Sequence, residues 1–278
     1  MVNIKGIKDA LDGLGRTGEL KKIGRYSMYK MQYRWNLYEH IQHLQLLLQE
    51  TLPFLRGYLL NEFLVMAYAA VHDDPELDIR LGDVQTGYKD VMSQFELMQL
   101  EEIEERAVDY VIERFGRIDI GSYSYPDILR NYRRQLSPEA QLVHYVDKIA
   151  AFYEALHELM AGNEEVITDK FDASGRLTVH PFQGYPKRTQ ALIANRPFLA
   201  DLQSLRDVAP FIAPAPGLPY LTLFKQSEPH TLESVRQRSN RPSSGYAAWL
   251  KVILNSGNEY LIERLYTPNT KVFANCRT

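Results

Sequence analysis

Two residues at the end of an apolar stretch carry the first sign of chemistry. "NEFLVMAYAAVHDDPELDIRLGDVQTGYKD" runs from Asn61, and its His72-Asp73 pair follows nine residues with almost no polarity. Glu76 and Asp83 come within the next ten residues, followed by Lys89. A helix end allows two adjacent side chains to reach one ion. A metal site needs two more ligands. Upstream, "RWNLYEH" supplies His40; downstream, "LVHYVDKIAAFYEAL" supplies Asp147, a single acid on an otherwise apolar helical face. An unpaired carboxylate buried there would cost several kcal/mol, and a cation removes that cost. Two neutral imidazoles and two carboxylates suit a borderline divalent ion, Co²⁺, Mn²⁺, Zn²⁺, Ni²⁺ or Fe²⁺. His43, one turn past His40, competes for the place of first ligand.

Helices are needed to bring these residues together, and residues 1–172 read as helices. "YEHIQHLQLLLQETLPFL" from Tyr38 has Ile41, Leu44, Leu47 and Leu48 at helical period. The segment from Asn61 is apolar all round, so it predicts a buried helix. "KDVMSQFELMQLEEIEERAVDYVIERFG" predicts a long amphipathic helix from Lys89, closed at Gly116. Ser137-Pro138-Glu139 places a Ser N-cap ahead of a Pro at the first helical position of a helix running to Gly162. No alternating strand pattern and no internal repeat occurs in this part.

The character changes near residue 172. Gly and Pro become frequent and helical patterns shorten. Residues 174–278 hold 13 Lys and Arg against 6 Asp and Glu, which leaves 19 against 29 for residues 1–173. The acidic part is a poor partner for nucleic acid; the basic tail can meet an anion or dock on the acidic part. A boundary near 172 therefore separates an all-α domain, residues 1–172, from a mixed or irregular extension, residues 173–278, which serves as a subdomain or a cover.

Composition bounds the setting. Apolar residues at 45% and charged residues at 24% are ordinary for a globular chain. A single cysteine, Cys276, excludes a disulfide framework and a cysteine-based zinc site. The longest apolar run, from Phe63, falls far short of the roughly 20 residues that span a bilayer. With no leader pattern at the N-terminus, a reducing cytoplasmic setting is expected, with no membrane partner.

Three separated motifs carry a resemblance. "RYSMYKMQYRWNLYEH" places Arg25-Tyr26 ahead of Glu39-His40. "YAAVHDDPELDIRLGDVQTGYK" has His-Asp, a Glu three residues on, then Gly-Asp, Thr and Lys. "SPEAQLVHYVDKIAAFYEALHELMAGNEEV" ends in an acidic helix and Ala-Gly-Asn. In this order, over about residues 20–168, they resemble the HD-domain superfamily of metal-dependent phosphohydrolases, closest to the bacterial 5'-deoxynucleotidase branch. The chain departs from that branch in having Tyr26 for Trp, Ile41 for Ser, two extra residues between Glu76 and Asp83, and Gly after Thr86.

The resemblance implies an HD-domain helical bundle with one divalent metal ion held by His40, His72, Asp73 and Asp147; its Glu-His spacing favours His40 over His43. It implies a nucleotide substrate, a homodimer, and removal of the 5'-phosphate from deoxynucleoside monophosphates. A triphosphate hydrolase on the same site and a non-catalytic nucleotide-binding module are the competing readings. Glu76, one turn past Asp73, can move a proton between water and leaving oxygen. Asp83 can orient the water. Arg25 offers a planar fork for phosphate oxygens, Tyr26 a face for the nucleoside, and Lys89 a further phosphate contact. Glu39 is either a partner of a ligand or solvated, and Asp74 reads as a capping residue. "GYP" at Gly184 and "RQRSNR" at Arg236 read as a chance tripeptide and a solvated loop.

Overall fold

The computed structural model describes residues 4–12, 15–27, 29–32, 34–78, 89, 92–160, 163, 170–171, 177–178 and 198. The expected boundary near 172, the role of the extension, Asp83, and the segments at Gly184 and Arg236 lie outside the described residues. The chain divides into two compact units, Met1–Met28 with Arg34–Asp147, and Tyr29–Tyr33 with Lys148–Thr278.

The fold is all-α, as the periodicity predicts. Helices α1 (Ile4–Asp12), α2 (Arg16–Leu20), α3 (Leu37–Thr51), α4 (Glu62–Val71), α5 (Gln94–Phe115), α6 (Tyr125–Arg134) and α7 (Pro138–Met160) carry the first unit, with 138–147 as the share of α7. Short 3-10 turns, Leu52–Tyr58 and Asp74–Leu77, follow α3 and α4. A two-residue hairpin, β1 (Asp119–Ile120) with β2 (Tyr123–Ser124), joins α5 to α6. Among the described residues no helix is long and apolar enough to cross a membrane.

Local sequence explains where the helices begin. Asn36 caps α3: its side chain accepts from the Glu39 N–H at 2.9 Å, and the Glu39 carboxylate accepts from the Asn36 N–H at 3.0 Å. Glu39 is thus an exposed member of a capping box, solvated as one of its two readings has it, with a helix-capping role that neither reading included. Ser93 and Glu96 form the same box on α5. That box starts the helix at Gln94 rather than at Lys89, because two orphan donors are satisfied there reciprocally. Ser137 caps α7 as expected, accepting from the Ala140 N–H at 3.2 Å. Gly116 closes α5 at ordinary negative φ; a Cβ there would collide with the Ile112 carbonyl oxygen.

Helix α4 is the centre of the first unit. Residues Val65 through Val71 are all buried. Helices α1, α3 and α6 pack on it, and α5 packs on the Asp74–Leu77 turn that follows it. Ile41, Leu44, Leu47 and Leu48 of α3 are buried, matching the predicted face. The end of α4 therefore lies where side chains from several helices can converge.

In the second unit, the Glu158 carboxylate accepts from the Gln32 N–H at 2.8 Å and from the Asn163 side chain at 2.6 Å. The same Asn163 amide also donates to the Lys30 carbonyl at 2.9 Å. The Asn of the Ala-Gly-Asn motif thus ties the end of α7 to the 29–33 segment. Strand β3 (Lys170–Phe171) pairs antiparallel with β4 (Leu177–Thr178).

Candidate metal centre

His72 and Asp73 follow Val71, the last residue of α4, where the final carbonyls have no intrahelical partners. One of these carbonyls aims the first ligand: the His72 Nδ1–H donates to the Ala69 oxygen at 2.9 Å. A carbonyl only accepts, so Nδ1 carries a proton, and in the neutral imidazole the Nε2 lone pair is left to face the cluster. Asp73 follows at φ −99°, ψ 7°, the bridge region that functional residues often occupy.

His40 comes from the first turn of α3 and Asp147 from α7. His40 Nε2 lies 3.0 Å from Asp147 Oδ1, 3.3 Å from His72 Nε2 and 3.6 Å from Asp73 Oδ2. His72 Nε2 lies 3.1 Å from Asp73 Oδ1 and 3.9 Å from Asp147 Oδ1. The structure thus brings all four predicted ligand residues together, with His40 at the cluster. The His43 ring instead meets Trp35 edge-on, with centroids 4.9 Å apart.

These residues fit a divalent ion. Ligand atoms of His40, His72 and Asp73 all lie within 4.8 Å of one another. An ion with donors at about 2.1 Å sets neighbouring donors about 3.0–3.4 Å apart, close to several of these separations. Asp73 Oδ2 is buried and makes no hydrogen bond among the described residues; a cation would satisfy it. Burial works against ionisation of Asp73, but the His72 imidazole, by charge and hydrogen bond, and then His40, hold its carboxyl down at about 2. The group is therefore anionic across the neutral range.

Arg25 stands beside the ligands, its Nη1 3.6 Å from Asp73 Oδ2. Its position is built locally. The Arg25 N–H donates to the Trp35 carbonyl at 2.8 Å, and Gly24 bridges to Asn36. Arg34 donates to the carbonyls of Arg25 and Tyr26 at 3.0 and 2.6 Å, which holds Tyr26 in the left-handed region at φ 52°. The Arg25 guanidinium lies over the Tyr26 ring, 5.2 Å from its centre, and donates to its hydroxyl at 3.2 Å. Tyr26 is only 4% exposed, so it backs Arg25.

Glu76 lies on the 3-10 turn, and its N–H donates to the Asp73 carbonyl at 3.0 Å. Lys89 pairs with Glu104 of α5, and Glu104 is also within 3.4 Å of Arg133. His144 is half-buried and is not among the residues of the cluster.

Two features were not foreseen. Tyr132 of α6 sets its ring edge-on to His72, with centroids 6.1 Å apart. Burial, and then the carboxylates of Asp147 and Asp73, push its phenol well above the ordinary value. An aromatic on a helical face has no signature in sequence beyond that of core. Asp74 is not a helix cap: it is fully buried, and its carboxylate accepts from Arg16 and from the Tyr125 hydroxyl.

The family model described as "5'-deoxynucleotidase YfbR-like" matches residues 16–180. No curated protein and no solved structure matches the chain.

Proposed function

From the premise that the chain belongs to the YfbR-like 5'-deoxynucleotidase family, within the HD-domain superfamily, we propose that it is a metal-dependent phosphohydrolase removing the 5'-phosphate of deoxynucleoside monophosphates. The observation that carries this reading is the convergence of His40, His72, Asp73 and Asp147 with Arg25 held 3.6 Å from Asp73. A divalent ion, when bound, supplies an acidified water and offsets charge on the phosphoryl group.

The chain's own residues do the rest. Asp73 and Asp147 provide the anionic charge that holds a cation, and His40 and His72 provide neutral nitrogen donors. Arg25 grips phosphate oxygens; Tyr26 beneath it keeps the guanidinium plane oriented and lowers the entropy lost on binding. Glu76 takes the proton from the attacking water and returns it to the leaving 5'-oxygen. Asp83 orients that water. Lys89, already paired with Glu104, contributes less to phosphate than its position in sequence implies.

A panel of nucleoside mono- and triphosphates with several added metals tests this reading. Release of nucleoside and orthophosphate from deoxynucleoside monophosphates is expected. Products containing diphosphate or triphosphate would assign the site to triphosphate hydrolysis, and binding without products would make it a nucleotide-binding module.

Arg25→Ala is expected to leave metal content unchanged and to lower kcat/KM for a monophosphate by on the order of 10- to 100-fold, the worth of a charged hydrogen-bonded contact. Elemental analysis beside steady-state kinetics checks it. Unchanged kinetics would take Arg25 out of the phosphate site.

A further inference from the structure

A buried ionic network that does not touch the cluster grips the His72-Asp73 dipeptide from both sides. Arg16, at the start of α2, donates through Nη2 to the Ala70 carbonyl, two residues before His72. It also donates through Nε to Asp74 Oδ2 at 2.7 Å and through Nη2 to Asp74 Oδ1, one residue past Asp73. The Tyr125 hydroxyl is a third donor to the Asp74 carboxylate, reaching Oδ2 at 2.7 Å. Arg16 is 3% exposed, and Asp74 and Tyr125 are 0% exposed, so water does not compete for these bonds.

The geometry has a direct consequence for the ligands. Two successive carbonyls at the end of α4 are both taken: Ala69 aims the His72 ring, and Ala70 is held by Arg16. A guanidinium is planar with its donors in a fixed fork. Bound at once to residues 70 and 74, it fixes their separation and orientation, and with them the backbone of His72 and Asp73 between. The same anchor holds the start of the turn that carries Glu76.

We propose that Arg16, Asp74 and Tyr125 are positioning residues for the metal centre, setting the conformation of the His72-Asp73 dipeptide and hence the affinity and coordination geometry of the ion. The inference rests on the reading of the cluster as a metal centre. Its alternative is a network that only stabilises the fold.

Co²⁺ titration of the full-length, metal-free protein separates the two, read by visible absorption and compared with the melting temperature of the metal-free form. Replacing a buried ion pair by apolar residues is often neutral or stabilising to a fold, so the variant is the double substitution Arg16→Met with Asp74→Leu. The expected result is a folded variant whose melting temperature falls only modestly, since the Ala70 carbonyl and the Tyr125 hydroxyl lose a buried partner, with Co²⁺ affinity, measured well below that temperature, weaker by about 10- to 100-fold and with shifted absorption bands. Wild-type affinity and spectrum in a folded double variant would overturn the proposal. If the double variant does not fold, Tyr125→Phe removes one donor to Asp74 and keeps the ring; a weaker affinity with a shifted spectrum supports positioning, and an unchanged pair overturns it. A wild-type protein that binds no Co²⁺ would overturn the metal-centre reading, and this inference with it.

Discussion

Asp73→Ala is expected to lose both the bound ion and the activity. Asp73 is the hub of the cluster: one oxygen lies 3.1 Å from His72 Nε2, the other 3.6 Å from both His40 Nε2 and Arg25 Nη1. With its carboxyl held at about 2, it is charged at any pH where the protein is assayed near neutrality. Its removal deletes a full negative charge from a buried site and leaves the Arg25 guanidinium facing two imidazoles. Asp147 is then the one carboxylate left in the set, and the Arg25 charge offsets it, so the site loses its net attraction for a cation and a mild excess of metal should not restore binding. A metal ion contributes several kcal/mol of transition-state charge stabilisation, so activity should fall by about 10³-fold or more. His72→Ala should behave similarly in metal content. Stoichiometric metal in both variants by elemental analysis would sink the assignment of the ligands.

Glu76 should separate from the ligands in the opposite way. Glu76→Ala is expected to keep both metal and nucleotide and to lose turnover, by about 10²- to 10⁴-fold in kcat. The reason is placement. The 3-10 turn sets Glu76 three residues past Asp73, with its N–H on the Asp73 carbonyl. It follows the ligand without being one, and its carboxylate can serve a proton. Metal analysis, equilibrium binding of a deoxynucleoside monophosphate and kcat together check this. A near wild-type kcat would move proton transfer to Asp83.

On the proposed reading, the two variants divide the site into a part that holds charge and a part that moves protons, and Arg25 is a third part, which holds substrate. Its expected signature, weaker kcat/KM with metal retained, differs from both. Asp73 and Glu76 reach the site from the end of α4 and the turn after it, and Arg25 from the bracket that joins Gly24 to Asn36.

Much of this arrangement follows from sequence alone, for physical reasons that act locally. A run apolar on all sides can only be a buried helix, and a His-Asp pair at its end must lie in the interior. The caps at Asn36, Ser93 and Ser137 depend on residues three apart, so their chemistry is contained in short stretches. The period of α3 identified its buried face, and the family resemblance implied His40, His72, Asp73 and Asp147 as one set. What local pattern could not supply was the choice among neighbours with the same periodicity or type. His40 and His43 are both buried and lie one turn apart on α3; only packing turns one toward Asp147 and the other toward Trp35. Asp73 and Asp74 are adjacent and chemically identical, yet one faces the cluster and the other faces Arg16, 58 residues away in sequence. Tyr125 and Tyr132 reach the same region from α6, and nothing in their own neighbourhood marks them. Contacts between distant segments depend on how helices pack, and side-chain direction at a helix end depends on which carbonyls and guanidinium groups meet it there. The ligand types were therefore written in the sequence, and their aim was decided by the tertiary structure.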